Sequence, residues 1–556
     1  MRRRPSVLLS LCLWLPFAAV AELAAAGEPK QTVCTITVNS DDEREAFRRN
    51  LPADRFEFVE LVEGNRPDWL ASACRRKVQC DVLVISGHFD DGSEFYSDKL
   101  DSRDHLPVAE MERAACTEGC SGLFSKLKEV YLFGCNTLNA DPLRFASGEA
   151  VRSLVRAGRS PADAEALARA LEARHGESNR ERMRVVFQGA PVIYGFSSKA
   201  PLGARAGPLL ERYFKAGGGA DVGQGSSSTA LLNLFSQVSM KSAAGVTPAD
   251  LQAGHRDDVC RFVDDAQPSA ERVRFLHALL KRDAAEVQMY LERLDALTAL
   301  LARAPLSADA IEARASLAQD TDARGRYLAL ARDADNLATA SRMLVIAQRL
   351  GWLSDDDARR ELVELVDARA RRSAMSAADV DTVCASNARD ELGPAAAALY
   401  PARAYADTTA NAAALACLGQ GDRRPRALRG LIADDEREAQ VAQVYLRHRP
   451  IQDADELRSV TAAIARMSGG APQVRALDTL AAMRIADRET LATLALLFPR
   501  TRSIEVQRAI AGVLIRADYH AMTRPELARA LRASRIKSAD GDDIVDALIR
   551  RLQAAS

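Results

Sequence analysis

Two apolar runs in this chain stop at residues able to do chemistry: Val82-Leu83-Val84-Ile85-Ser86-Gly87-His88 and Val130-Tyr131-Leu132-Phe133-Gly134-Cys135. Runs this short and this apolar read as strands buried on both faces, as in a parallel sheet covered by helices. Ligands of such sheets sit just beyond the carboxyl ends of the strands. If the two strands are neighbours, an imidazole and a thiol emerge side by side. That is the arrangement in which histidine activates a cysteine nucleophile.

The flanking sequence fits such a sheet. From about 34 to 242, strand and helix patterns alternate. An alternating strand over 33–38 leads to Ser40, read as the cap of a helix with Asp41, Asp42 and Glu43 in its first turn, where acidic groups favour the positive helix end. A second strand is expected over 56–62. Pro67 then starts a helix with Trp69, Leu70, Ala73 and Cys74 at helical spacing. After the His88 strand come a hairpin around Phe95-Tyr96, a helical stretch over 108–127 and the Cys135 strand. A long Ala/Arg/Glu-rich helical insertion follows. Residues 184–187 and 191–196 read as further strands, 209–215 as a closing helix, and the Gly/Ser-rich 217–228 as a flexible loop or linker.

From about Val246 the strand-like runs disappear. Leu276, Leu279 and Leu280 recur at helical spacing, as do Leu291, Leu294, Leu297 and Leu300. The clearest unit spans 490–517: Leu491, Leu494 and Leu497 mark one helix face, Pro499 a turn, and Val506, Ile510, Val513 and Leu514 a second helix. It resembles a HEAT-type repeat, in which stacked helix pairs build the core of an α-solenoid. No fixed period runs through the whole region, so the expectation is a degenerate solenoid.

At 556 residues the chain exceeds one ordinary core. Its expected organisation is a signal peptide over 1–26, an α/β domain over 32–242 and an α-helical domain over 246–556. Arg2, Arg3 and Arg4, a short apolar stretch broken by Pro16, and a small-residue cleavage site at Ala19-Val20-Ala21 or Ala24-Ala25-Ala26 read as the export signal. No later stretch is long and apolar enough for a membrane span, so the mature chain is expected to be periplasmic or secreted. The net charge of −1, with both signs interspersed, gives no footprint for nucleic acid.

Export alters how the thiols are read, because oxidising compartments permit disulfides. Of ten cysteines, Cys12 leaves with the signal. The odd remainder leaves at least one thiol unpaired, and Cys135 is the natural candidate, since a nucleophile stays reduced. Cys384 and Cys417 stand alone together in the later part of the chain.

The separation of His88 from Cys135 suits a caspase-type order, with histidine roughly 50 residues ahead of cysteine. Ser86-Gly87-His88 after one strand and Leu132-Phe133-Gly134-Cys135-Asn136-Thr137 after the next resemble clan CD cysteine peptidases, the second motif being most similar to the CHAT-domain pattern. The run 191–196 is similar to the clan's following sheet strand. The resemblance covers about 32–218. It implies an α/β caspase-like domain, a mostly parallel sheet flanked by helices, followed by the all-α solenoid-like domain. By that likeness Cys135 is the nucleophile, His88 supplies the proton to the leaving amine, and the backbone amides of Cys135 and Phe89 hold the oxyanion. The clan usually has glycine where this chain has Phe89, so the oxyanion hole is built differently or the site is silent.

Asp90, Asp91 and Glu94, with Asn136, are the candidate substrate contacts. The acidic three also read as a solvated loop, a calcium site, or an orienting group for His88. A zinc site from His88, His105 and nearby cysteines lacks the paired spacing zinc needs, and Gly217-Gly218-Gly219 does not lead from a strand into a helix as a phosphate loop would. No metal and no cofactor is therefore expected. His175, His255, His277, His448 and His520 read as surface or helix-packing residues. The function expected is an exported cysteine endopeptidase with a Cys–His dyad acting on a protein or peptide substrate, its helical domain binding substrate or a protein partner. The alternative is a silent caspase-like fold serving as an envelope scaffold. A third idea, self-processing, rests on the basic insertion over 152–184.

Overall fold

In the computed structural model the described residues are 29–61, 69–89, 92–99, 104–120, 122–141, 151, 154, 155, 158–399, 405–518, 524–537 and 543–554. The expected signal peptide over 1–26, Pro67, Asp90, Asp91 and His520 lie outside them. The chain divides into two compact units, one within Met1–Leu143 and Glu177–Arg256, the other within Arg144–Gly176 and Asp257–Ser556.

The first unit is built on a six-stranded sheet. Its strands are β1 (Gln31–Thr37), β2 (Phe56–Glu60), β3 (Val82–Ser86), β6 (Glu129–Phe133), β7 (Val192–Phe196) and β8 (Met240–Ala243), in the spatial order β2-β1-β3-β6-β7-β8. All neighbouring pairs run parallel except β7 with the edge strand β8. A separate antiparallel pair, β4 (Glu94–Tyr96) with β5 (His105–Pro107), forms the expected hairpin.

Period-two alternation fills both faces. Cys34, Ile36, Leu83, Ile85, Val130, Leu132 and Ile193 point to one core, which also holds Leu70, Met111 and Met183 from helices Trp69–Arg75, Val108–Cys116 and Asn179–Val186. Val33, Val82, Val84, Tyr131, Phe133, Tyr194 and Phe196 point to the other, with Phe47 from helix Asp42–Asn50 and Leu210 and Phe214 from helix Gly203–Lys215. Two covered faces explain why the strand sequences are continuously apolar.

Several local readings are corrected. Residues 184–187 are not a strand but close the helix Asn179–Val186, whose Ser178 hydroxyl accepts from the Glu181 amide. The branched residues Val185 and Val186 favour β locally, and the capped N-terminus overrides them. The stretch over 108–127 is helical only to Cys116: Thr117 turns extended, its hydroxyl donates to the Arg113 carbonyl at 2.8 Å, and a short 3₁₀ turn follows. At the first helix Asp41 holds the cap position, although the Ser40 hydroxyl still accepts the Asp42 amide at 3.2 Å. The last helix starts at Gly203, ahead of Pro208. Residues 217–228 are tied to the sheet rather than free as a linker. The buried Glu129 carboxylate accepts from the Gly225 amide and the Tyr131 hydroxyl, and Tyr194 accepts from the Ser228 amide at 2.7 Å.

The second unit is helical. Its apolar core is continuous from Phe262 to Leu552. The marked pair over 490–517 is present as helices Arg488–Leu497 and Ile504–Leu514, with Leu491, Leu494, Val506, Ile510, Val513 and Leu514 all buried. This unit also takes in the inserted helix Pro161–His175, in which Ala164, Ala168 and Leu171 pack with Ala285.

Disulfides join Cys34 to Cys80, Cys74 to Cys120 and Cys384 to Cys417, while Cys116 and Cys260 are also disulfide-bonded. Such usage is the pattern of an oxidising compartment. Each loop of 46 residues closed by the first two bridges removes about 4 kcal/mol of denatured-state entropy on the chain-entropy estimate. Among the described residues no helix is long and apolar enough to cross a membrane.

Candidate active site

Strands β3 and β6 are neighbours in register, Ser86 standing opposite Phe133. The Gly87 amide continues the ladder to the Phe133 carbonyl at 3.1 Å. His88 and Cys135 therefore each stand two positions past the last paired residues, at strand tips about 4.8 Å apart. Gly134 lets the two strand tips pack closely. A Cβ built there would lie 2.8 Å from Phe89 Cβ, 3.0 Å from the Gly87 carbonyl oxygen and 3.0 Å from the Phe95 ring. The residues on both sides of His88 thus touch the residue before Cys135.

Cys135 is the free cysteine among the described residues and is half-buried. Its Sγ accepts the Ala200 amide at 3.3 Å, a contact that strengthens when sulfur carries negative charge. The turn after it is fixed from several sides. Asn136 is left-handed, with φ 60°; its amide donates to the Ser198 carbonyl at 2.7 Å, and its carbonyl accepts from Asn179 Nδ2 at 3.0 Å. The fully buried Thr137 hydroxyl donates to the Gly134 carbonyl and accepts from the Phe196 amide at 3.0 Å. The Cys-Asn-Thr motif is thereby locked to β7.

His88 is held by the hairpin. It exchanges both backbone hydrogen bonds with Tyr96 at 2.9 Å, and its ring stacks on the Tyr96 ring at 5.3 Å. Nε2 lies 3.2 Å from Asp98 Oδ2, an ion-pair distance, yet it has no aligned hydrogen-bond partner. No hydrogen bond therefore joins Nε2 to the thiol in this state. The Phe89 ring is fully buried against Phe95, 4.6 Å between centroids. Among the described residues neither the Phe89 nor the Cys135 amide meets an acceptor.

Of the candidate contacts, Glu94 opens β4 and is half-buried, while the Asn136 side chain meets no hydrogen-bond partner among the described residues. His105 is exposed on β5. Sequence reasoning missed Asp98, Ala200, Asn179 and Arg182, none of which carries a local motif. The remaining histidines pair with carboxylates: His255 with Glu177, His277 with Asp320, His448 with Asp381. His175, Asp258 and Glu286 come within metal-ligand spacing of one another. Arg282 already donates to both of those carboxylates, so the positive charge is supplied by the chain itself.

No family model, curated protein or solved structure matches this chain.

Proposed function

We propose that the chain is an exported cysteine endopeptidase, periplasmic or secreted, with Cys135 as nucleophile and His88 as proton carrier. The reading is carried by the seat of Gly134, pressed against Gly87 and Phe89 and followed directly by the free thiol. The mostly parallel sheet with both motifs at adjoining tips supports the likeness to clan CD peptidases. The thiolate attacks the scissile carbonyl carbon, forming a C–S bond while the carbonyl oxygen takes the negative charge. The unpartnered amides of Phe89 and Cys135 are the donors for that oxyanion. Imidazolium gives its proton to the leaving amine as the C–N bond breaks, and the acyl-enzyme is then hydrolysed by a water that returns a proton to His88. Asp90, Asp91, Glu94 and Asn136 are the proposed substrate contacts, and the helical region, HEAT-like over 490–517, holds substrate or a protein partner.

Iodoacetamide labelling of the mature protein tests this. Cys135 is expected to react faster than an ordinary thiol, at a rate that falls in His88→Ala. Cleavage of an unstructured protein should vanish in Cys135→Ala. Equal labelling in wild type and His88→Ala would overturn the dyad. The scaffold reading has one observation in its favour: the sulfur is hydrogen-bonded to the Ala200 amide and not to His88 Nε2. It requires Cys135→Ala to leave the biological phenotype intact.

A further inference from the structure

One helix grips the segments that follow both members of the dyad. At its first residue, Asn179 Nδ2 donates to the Asn136 carbonyl at 3.0 Å, and next to it the Arg180 amide donates to the Asn139 carbonyl at 2.9 Å. One turn further, Arg182 Nη1 donates to the Gly92 carbonyl at 2.6 Å. Asn136 directly follows Cys135, and Gly92 lies four positions after His88. Gly92 has φ +80°, and any Cβ there would collide with Asn179 Oδ1. The two loops and the helix therefore meet at a single point. Arg182 Nε also lies 3.9 Å from the deeply buried Glu112 carboxylate, which neutralises it without a direct hydrogen bond.

Asn179 is poorly explained as a stability residue. It is 4 % exposed, and its Oδ1 is buried without a hydrogen-bond partner. A half-satisfied buried amide costs free energy that an apolar side chain would not. What Asn179 contributes is its Nδ2 bond to the left-handed turn after the thiol.

We propose that Asn179 and Arg182 are positioning residues that set the Cys135 turn and the His88 loop relative to one another; this rests on the cysteine-peptidase reading. Preorganisation of this kind acts on rate more than on stability. The test is iodoacetamide labelling of Cys135 in the full chain between pH 5 and 9, for wild type, His88→Ala, Asn179→Leu, Arg182→Met and Arg182→Lys. Asn179→Leu is expected to slow labelling at pH 7 about tenfold, with an unchanged or raised urea midpoint. Arg182→Met should do the same, and Arg182→Lys, which keeps one donor for Gly92, should recover most of the rate. Wild-type profiles in Asn179→Leu and Arg182→Met would overturn the positioning role while leaving the dyad standing. A wild-type profile already indifferent to His88→Ala would overturn the peptidase reading and the positioning role together.

Discussion

His88 Nε2 sits 3.2 Å from Asp98 Oδ2 without the alignment of a hydrogen bond, and the Asp98 side chain is 66 % exposed. With the carboxylate end in solvent, a pair of this kind contributes about 0–1 kcal/mol and weakens with salt. Asp98→Ala is therefore expected to slow Cys135 alkylation at pH 7 by about two- to fivefold, far less than His88→Ala does. The gap to wild type should close as ionic strength rises. A loss in Asp98→Ala as deep as in His88→Ala would mean the carboxylate is an obligatory third member, against this expectation.

Gly134→Ala should damage both fold and site. The new methyl would meet Phe89 Cβ at 2.8 Å and the Gly87 carbonyl oxygen at 3.0 Å, and the backbone of the adjoining strand tip cannot step aside as a flexible side chain can. Overpacking of this sort costs about 1–3 kcal/mol. Urea unfolding should register that loss, and Cys135 labelling should approach that of an ordinary thiol even where the variant remains folded. Trimming Phe95 in the same background is expected to recover little, because it relieves the ring contact and leaves the Phe89 and Gly87 contacts in place.

The sheet was legible because its inner strands are unusually plain. Leu83, Ile85, Val130 and Leu132 fill one core while Val84, Tyr131 and Phe133 fill the other, so no polar alternation disguises them. Cys135 was legible by parity, as the thiol left over in an oxidising pattern. The end of the helix Asn179–Val186 was not, since Val185 and Val186 point to β locally, although Ser178 and Glu181 at capping spacing were the available signal. Asp98, Ala200 and Arg182 carry no signal in their own neighbourhoods. They reach the site through hairpin and loop geometry, which a residue pattern does not encode.

Glu43 makes the first unit sensitive to rising pH. Burial pushes its carboxyl up to about 7, Asp42 and Asp41 add to the effect, and its own amide and the Ser40 hydroxyl offset part of it. Only 2 % of the residue is exposed. A raised acid binds its proton more tightly folded than unfolded, so stability falls as pH climbs from the unfolded value of 4.5 to about 7 and is level above. The full span corresponds to about 3 kcal/mol. Glu43→Gln should remove this slope, and the difference between its urea stability and that of wild type should grow from pH 5 to pH 8. A constant difference across that range would contradict the assignment.

The helical unit is expected to respond in the opposite sense through His175. Its Nδ1 lies 3.0 Å from the Tyr290 hydroxyl, which itself donates to Asp258 Oδ2 at 3.0 Å. The single Tyr290 proton is thus committed to Asp258, which places the imidazole proton on Nδ1. Nε2 faces Glu286 Oε1 at 3.5 Å. Burial lowers the imidazole below its ordinary value of 6.5; Glu286 and Asp258 oppose that shift, and Arg282 and Arg174 reinforce it. A depressed base contributes stability that is complete above the unfolded value and is lost as pH falls through the folded one. The helix Pro161–His175, which packs Leu171 on Ala285, is the element that should loosen. Amide hydrogen exchange in that helix, corrected for intrinsic rates, should accelerate between pH 7 and pH 5 in wild type. In His175→Gln it should be faster at pH 7 and insensitive to the same drop. Exchange that stays flat in wild type would show that the Tyr290 and Glu286 contacts do not govern how the helix is held.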